Sequence, residues 1–278
     1  MLKRKIKPGR VLGLIFAALF IVVLVFPFYW QIVSSVKTPQ DIMKMPTELW
    51  PSRFSLQFYK NVFELHHFQI YLRNSIIVST ATMALALLVA LPAAYAFTRI
   101  AFPGRRFWKN FMLVANMFPI IAVVTPLFVA FKKLHLINTY WGLIIPSIVI
   151  TLPLSVWTLV AFLQQIPYDL EEAAQIDGAS RFQAVVRVVM PLMGPGLFST
   201  AIISFITAWN ELMFSLVFVT KDQWRTVPVG ISLFSGEYTV PWGDMAAASI
   251  VATVPIVIVV LVFQKQIVAG LTAGAVKG

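Results

Sequence analysis

The chain has 278 residues, of which 59% are hydrophobic and only 12% charged, with a mean hydropathy of +0.83. Too few polar side chains are present to clothe a water-soluble globule, which excludes an ordinary soluble enzyme. The net charge of +11 arises from 22 Lys and Arg against 11 Asp and Glu, scattered between long uncharged runs in the manner of topology signals and not of a nucleic-acid patch.

A helix rises about 1.5 Å per residue, so roughly 20 apolar residues cross a hydrocarbon core of about 30 Å. Six runs meet that need. Residues 11–36 form the first. Lys3, Arg4, Lys5, Lys7 and Arg10 precede it as in a secretion signal, but its length and the bulky Pro27, Phe28, Tyr29, Trp30 and Gln31 mark a retained anchor. The second, third and fourth runs are 74–98, 110–131 and 136–168, the last including flanking loop. The fifth is expected to start near Gly196, after Pro191 and Pro195, and to carry Glu211 within it before the apolar stretch 212–220. The sixth is 245–264. The expected fold class is therefore an all-α polytopic membrane protein of six transmembrane helices, one domain over 1–278. The chain contains no fixed-period repeat and no soluble domain.

Six spans place both termini on one side. The N-terminal basic cluster and Arg99, Arg105, Arg106 and Lys109 after the second span outweigh Lys132, Lys133, Lys221 and Arg225 in the opposite short loops, so both termini are expected in the cytoplasm. The outer segment 37–73 is long and mixes its basic residues with Asp41, Glu48 and Glu64, so it weighs little. Pro27, Pro92, Pro119, Pro126, Pro146, Pro153 and Pro255 fall in or near spans, where each removes a backbone donor. Tolerated kinks and a moving pathway lined by broken helices are both consistent with that.

Residues 167–195, PYDLEEAAQIDGASRFQAVVRVVMPLMGP, are the only acidic stretch expected on the inner side. They read as two short helices. Asp169 is expected as an N-cap with Glu172 three residues on, and Glu171 and Glu172 suit the positive end of a helix dipole. Gly178 is a natural left-handed terminator. Ser180 and Gln183 repeat the cap-plus-three pattern before Phe182, Val185, Val186 and Val189, and Pro191 is expected to stop the second helix.

Glu172, Ala173, Ala174, Asp177, Gly178 and Ala179, followed by Pro191 and Pro195, resemble the EAA signature of permease subunits from ATP-binding-cassette (ABC) importers. Further likenesses are Phe102-Pro103-Gly104, Trp209-Asn210-Glu211, Trp242-Gly243-Asp244 and the tail QKQIVAGLTAGAVKG at 264–278. Together they resemble the carbohydrate-uptake branch, in particular the second permease of maltose- and trehalose-type importers. The resemblance implies a cytoplasmic coupling helix pair between the fourth and fifth spans, in which Glu171, Glu172, Ala173, Ala174, Asp177, Gly178 and Ala179 meet an ATPase. It implies a companion permease, two ATP-binding-cassette ATPase subunits that bind ATP and Mg, an extracytoplasmic solute-binding protein and a sugar substrate moved by alternating access. It also implies that the tail 265–278 reaches the ATPase interface, and that segments 37–73 and 221–244 dock the binding protein. Another polyol or glycerol-phosphate solute is an alternative substrate.

No GxxxxGK followed by Ser or Thr occurs, so this chain builds no Walker-type phosphate loop. No GxSxG, no HExxH and no pair of intramembrane acids supports an intramembrane enzyme, and the chain is read as non-catalytic. An ion-driven transporter would leave the EAA segment without purpose. With no cysteine, there is no disulfide and no thiolate site. His66, His67 and His135 read as solvated loop residues and not as a metal centre.

An acid in a span costs about 2.5 to 3.5 kcal/mol on insertion scales, so Glu211 is expected to face the interior or the outer boundary. Trp209, Asn210 and Glu211 then either line the substrate pathway, offering an indole face and hydrogen-bond partners for hydroxyls, or make structural contacts between helices. Asn116 and Trp157 are further pathway candidates. The Gly270/Gly274 pair reads as a flexible tail and not as a dimerisation face.

Overall fold

The computed structural model describes residues 8–234 and 240–275, and the side chains of those between 13 and 264. Every regular element among them is helical. In chain order these are α1 (Pro8–Ser35), α2 (Pro39–Ile42), α3 (Gln57–Glu64), α4 (Phe68–Arg99), α5 (Arg105–Asn116), α6 (Ile120–Lys133), α7 (Tyr140–Leu163) and α8 (Asp169–Ile176). There follow α9 (Arg181–Ala184), a π turn (Val185–Val189), α10 (Met190–Leu192), α11 (Gly194–Trp209), α12 (Met213–Phe218), a 3₁₀ turn (Asp222–Trp224), α13 (Val227–Ser232) and α14 (Trp242–Ala275).

Among the described residues, four helices are long and apolar enough to cross a membrane: α1, α4, α7 and α14. Two bent pairs bring the number to 6 when each is one span. The third expected span is one of them: α5 and α6 meet at 94°. Hydropathy alone cannot reveal such a bend, because both arms are uncharged around it. Pro119 marks it, standing as the extended N-cap of α6 and forcing Phe118 away from helical geometry. The other span prolines do not break their helices. Pro27, Pro92, Pro126, Pro146 and Pro153 lie inside continuous ones, and Pro255 lies in α14, which kinks further on at Phe263 (φ −110°, ψ 15°).

The fifth span departs from expectation in two ways. Its helix ends at Trp209 with Asn210 as C-cap, so Glu211 lies in the break before α12 and not inside a helix. Pro191 does not stop the second hairpin helix, which runs on to Leu192 before a bend of 74° into α11. The preceding π turn explains this, since Met190 N–H bonds back to Val185 O and the widened turn makes room for a proline ring.

The described residues form two compact units. One comprises residues up to Phe68 together with Leu233–Thr253. Here α1 exposes Leu14, Phe16, Leu19, Phe20 and Val23, apolar around its circumference as a lipid-spanning helix must be. Lys37 is buried, donating from Nζ to Glu48 O at 2.6 Å and lying 4.7 Å from the centre of the Trp30 ring. Tyr29 OH donates to Leu49 O at 2.6 Å. The segment after α1 is thereby folded back on the helix end. At the start of α14, Asp244 accepts from Asn61 Nδ2 at 3.1 Å and lies 3.2 Å from His66 Nε2, whose ring stacks on Phe234. His66 is thus held by a carboxylate and a ring, unlike the solvated loop residue expected.

The other unit spans Gln69–Ser232 and the rest of α14. One apolar core joins Ala90, Ala94 and Phe97 of α4, Val156, Leu159, Val160 and Leu163 of α7, and Val189 and Met193 beyond the hairpin. A second joins Val78 of α4, Val124 and Phe131 of α6, Leu143 and Ile144 of α7, and Phe214 and Phe218 of α12. α7 and α11 approach closely because Gly196 leaves room for Phe162 and because the Ser155 and Ser204 hydroxyls meet at 2.9 Å. The C-terminal tail continues as helical backbone to Ala275. Its side chains, residues 276–278 and the basic Lys3, Arg4, Lys5 and Lys7 lie outside the described residues.

Candidate coupling hairpin and substrate pathway

α8 begins one residue earlier than the sequence suggests. Tyr168 is its N-cap with already helical φ/ψ and no side-chain cap, and its carbonyl accepts from the amides of Glu171 and Glu172 at 2.8 and 3.2 Å. Asp169 is therefore not the cap. It stands in the first turn with Glu171 and Glu172, where three carboxylates complement the helix dipole. Only Glu171 among them turns inward, being 1% exposed. Glu172, Ala173, Asp177 and Gly178 are exposed, and Ala174 and Ala179 half-buried.

Gly178 ends α8 with φ +92°. The Gly178 amide donates to Gln175 O at 3.0 Å and the Ala179 amide to Ala174 O at 2.9 Å, the paired bonds of a Schellman motif. The alanines of the motif sit at its two ends, and the left-handed turn reverses the chain within two residues. Ser180 then caps α9: its Oγ accepts from the Gln183 amide at 3.2 Å while the Ser180 amide donates to Gln183 Oε1 at 2.8 Å. Ile176 and Phe182, 85% and 76% exposed, flank the turn. The chain reversal thus carries two bare apolar side chains beside its polar turn.

Sequence reasoning missed what holds the hairpin to the bundle. Glu171 Oε2 accepts from Tyr95 OH at 2.9 Å, and Oε1 lies 2.7 Å from Arg99 Nε, both on α4. Arg99 is legible in the sequence as a lone cation ending an apolar run, but that position equally suits a topology signal. Only the fold brings it to α8. A cavity of about 350 Å³ lies where α5 bends into α6 and is walled by Asn116, Phe118, Leu127, Pro146 and Phe214.

The pathway candidates are dispersed. Asn116, exposed at the end of α5, is on the wall of that cavity. Trp157 on α7 is half-buried beneath Lys109 Nζ, 4.6 Å from its ring centre. Trp209 is buried and stacked on Phe205, and Asn210 is exposed with Nδ2 donating to Ile206 O at 2.9 Å. The Glu211 carboxylate is engaged locally, accepting from the amides of Phe214 at 2.7 Å and Ser215 at 3.1 Å at the start of α12.

Residues 83–272 match the family model described as the binding-protein-dependent transport system inner membrane component. The chain is 45% identical to the trehalose/maltose transport system permease protein MalG of Thermococcus litoralis over 97% of each chain. It is 42% identical to the trehalose transport system permease protein SugB of Mycobacterium tuberculosis, covering 91% of this chain and 92% of that one. Its fold matches a chain in the crystal structure of a bacterial ABC transporter that imports the acidic polysaccharide alginate, with a TM-score of 0.79, 18% identity and coverage of 95% and 98%. A polytopic helical bundle matched over most of its length to this family and to such relatives belongs among the inner-membrane permease components of binding-protein-dependent transport systems, and is a non-catalytic subunit of an ABC importer.

Proposed function

We propose that this permease moves a di- or oligosaccharide of the trehalose or maltose kind, by alternating access driven through the hairpin α8–α9. The chain spans the cytoplasmic membrane with both termini inside. It forms a single permease domain over its whole length, pairs with a companion permease and rests on two ATPase subunits that bind ATP and Mg. A loaded solute-binding protein docks outside, on the segments 37–73 and 221–244. Residues 235–239 of the second segment lie outside the described residues.

The observation that carries this reading is the open face of the hairpin, with Glu172, Ala173, Asp177 and Gly178 exposed beside bare Ile176 and Phe182. An ATPase closing on that face pushes two short helices whose far end, Val189 and Met193, is embedded in the core shared with α4 and α7. The trehalose and maltose relatives support the substrate class. In the pathway, the exposed Asn116 and Asn210 offer amide groups to sugar hydroxyls, while the buried Trp209 and the locally bonded Glu211 reach a sugar only if the break before α12 opens during transport.

The test is reconstitution of the chain with its companion permease, ATPase and binding protein in vesicles, with labelled trehalose, maltose and a non-sugar solute supplied in turn. ATP-dependent uptake of a sugar that needs all four components is expected. Uptake by this chain alone on an ion gradient, or a complex that accepts only non-sugar solutes, would overturn the reading.

A further inference from the structure

Glu171 is buried whereas its neighbours Asp169 and Glu172 are exposed. A carboxylate taken out of water needs partners. It finds them on α4, where the Tyr95 hydroxyl donates to Oε2 at 2.9 Å and Arg99 Nε approaches Oε1 to 2.7 Å. The second approach lacks hydrogen-bond alignment and acts as charge on charge. Arg99 is itself largely enclosed, and its Nη2 donates to Leu163 O at 3.3 Å and Ile166 O at 2.6 Å, where α7 ends. Its guanidinium also lies 5.4 Å from the centre of the Tyr168 ring, at the residue from which α8 starts. One planar cation therefore touches the ends of α4 and α7 and the beginning of α8, a role that its fixed fork of donors suits and a lysine would fill poorly.

α8 is two turns long, with a loop before it and the Gly178 reversal after it. Left to itself, such a helix would rock about those ends when pushed. We propose that Arg99 and Tyr95 are positioning residues of the coupling step: through Glu171 they lock α8 to the ends of α4 and α7, so that force on the exposed face moves the spans. This inference rests on the coupling role given to the hairpin above. Glu172 and Asp177 face outward to the partner, and Glu171 faces inward to the bundle.

The test uses the complete reconstituted importer and reads the number of ATP molecules hydrolysed per solute transported, corrected for the amount of assembled complex. Glu171→Gln keeps size and removes the charge, and Tyr95→Phe removes one hydroxyl with little risk to folding. A ratio raised about tenfold by each is expected, the first by removing the charge that faces Arg99 and the second by removing a hydrogen bond to a charged group. A ratio in Tyr95→Phe unchanged from the parent, or a Glu171→Gln complex that loses uptake and hydrolysis in equal proportion, would overturn the lock. If Glu171→Gln fails to assemble, the Tyr95→Phe ratio decides alone. Crosslinking the hairpin in the same complexes separates the two proposals. A hairpin that touches the ATPase with a normal ratio defeats only the lock, whereas a hairpin that touches no ATPase defeats the coupling role itself.

Discussion

The Glu211 carboxylate accepts a hydrogen bond of 2.7 Å from the amide of Phe214, and its second oxygen accepts one from Ser215. An acid that hydropathy places inside a span is therefore an anchor for the first turn of α12, whose Phe214 walls the cavity that also contains Asn116. Loss of such a cap costs about 1 kcal/mol. Glu211→Ala is accordingly expected to loosen α12, seen as faster proteolysis near the loop after Phe218, with transport falling in parallel. Glu211→Gln keeps one acceptor oxygen and should retain most of both. Transport lost in Glu211→Gln with proteolysis unchanged would instead mean that the carboxylate itself meets the substrate.

Gly178 adopts φ +92°, and a Cβ added there would meet nothing within 4 Å, so its requirement is conformational and not steric. A non-glycine residue in this region costs about 1 to 2 kcal/mol, and asparagine tolerates it better than most. Transport by Gly178→Asn should exceed that of Gly178→Ala, and Gly178→Val should be impaired most, with membrane insertion normal in all three. Equal uptake by the three variants and the parent would show that the reversal is not needed.

Gly243 presents the opposite case. A Cβ there would come within 2.2 Å of the Phe58 ring, so α3 and the start of α14 touch through the absence of a side chain. Gly243→Ala forces a shift worth about 1 to 3 kcal/mol. Thermal unfolding of the purified protein in detergent should show a lower midpoint for Gly243→Ala, partly restored by adding Phe58→Leu. Additive losses in the double variant would contradict the contact.

The Ser155 and Ser204 hydroxyls join α7 to α11 at 2.9 Å. Such intramembrane hydrogen bonds average about 0.6 kcal/mol, so Ser204→Ala should change stability little. Gly196→Leu, whose first added carbon would come within 2.5 Å of Phe162, should be far more damaging. The same unfolding measurement ranks the two.

Much of this was legible in the sequence because it depends on local chemistry. Uncharged runs located the spans, and the turn at Gly178 and the Ser180–Gln183 box were readable from residues three or four apart. What depends on tertiary context was not. The bend at Pro119 looks the same as the undisturbed Pro146 and Pro153 until packing decides which proline breaks its helix. Glu171 and Glu172 are adjacent acids of one helix, and only the position of Arg99, distant in sequence, separates the inward one from the outward one. Asp169 failed as a cap because Tyr168 is already helical, a backbone choice the side chains do not announce.

Since the chain contains no cysteine, one introduced at Ile176 or Phe182 gives a single reactive position on it. The decisive measurement is bifunctional crosslinking of that thiol in the assembled importer, paired with labelling by a membrane-impermeant reagent in intact cells and in inverted vesicles. A crosslink to the ATPase subunit, with labelling confined to inverted vesicles, is the predicted result. Labelling from outside the cell, or a complex that holds its ATPase while the hairpin thiol never reaches it, would contradict the coupling role.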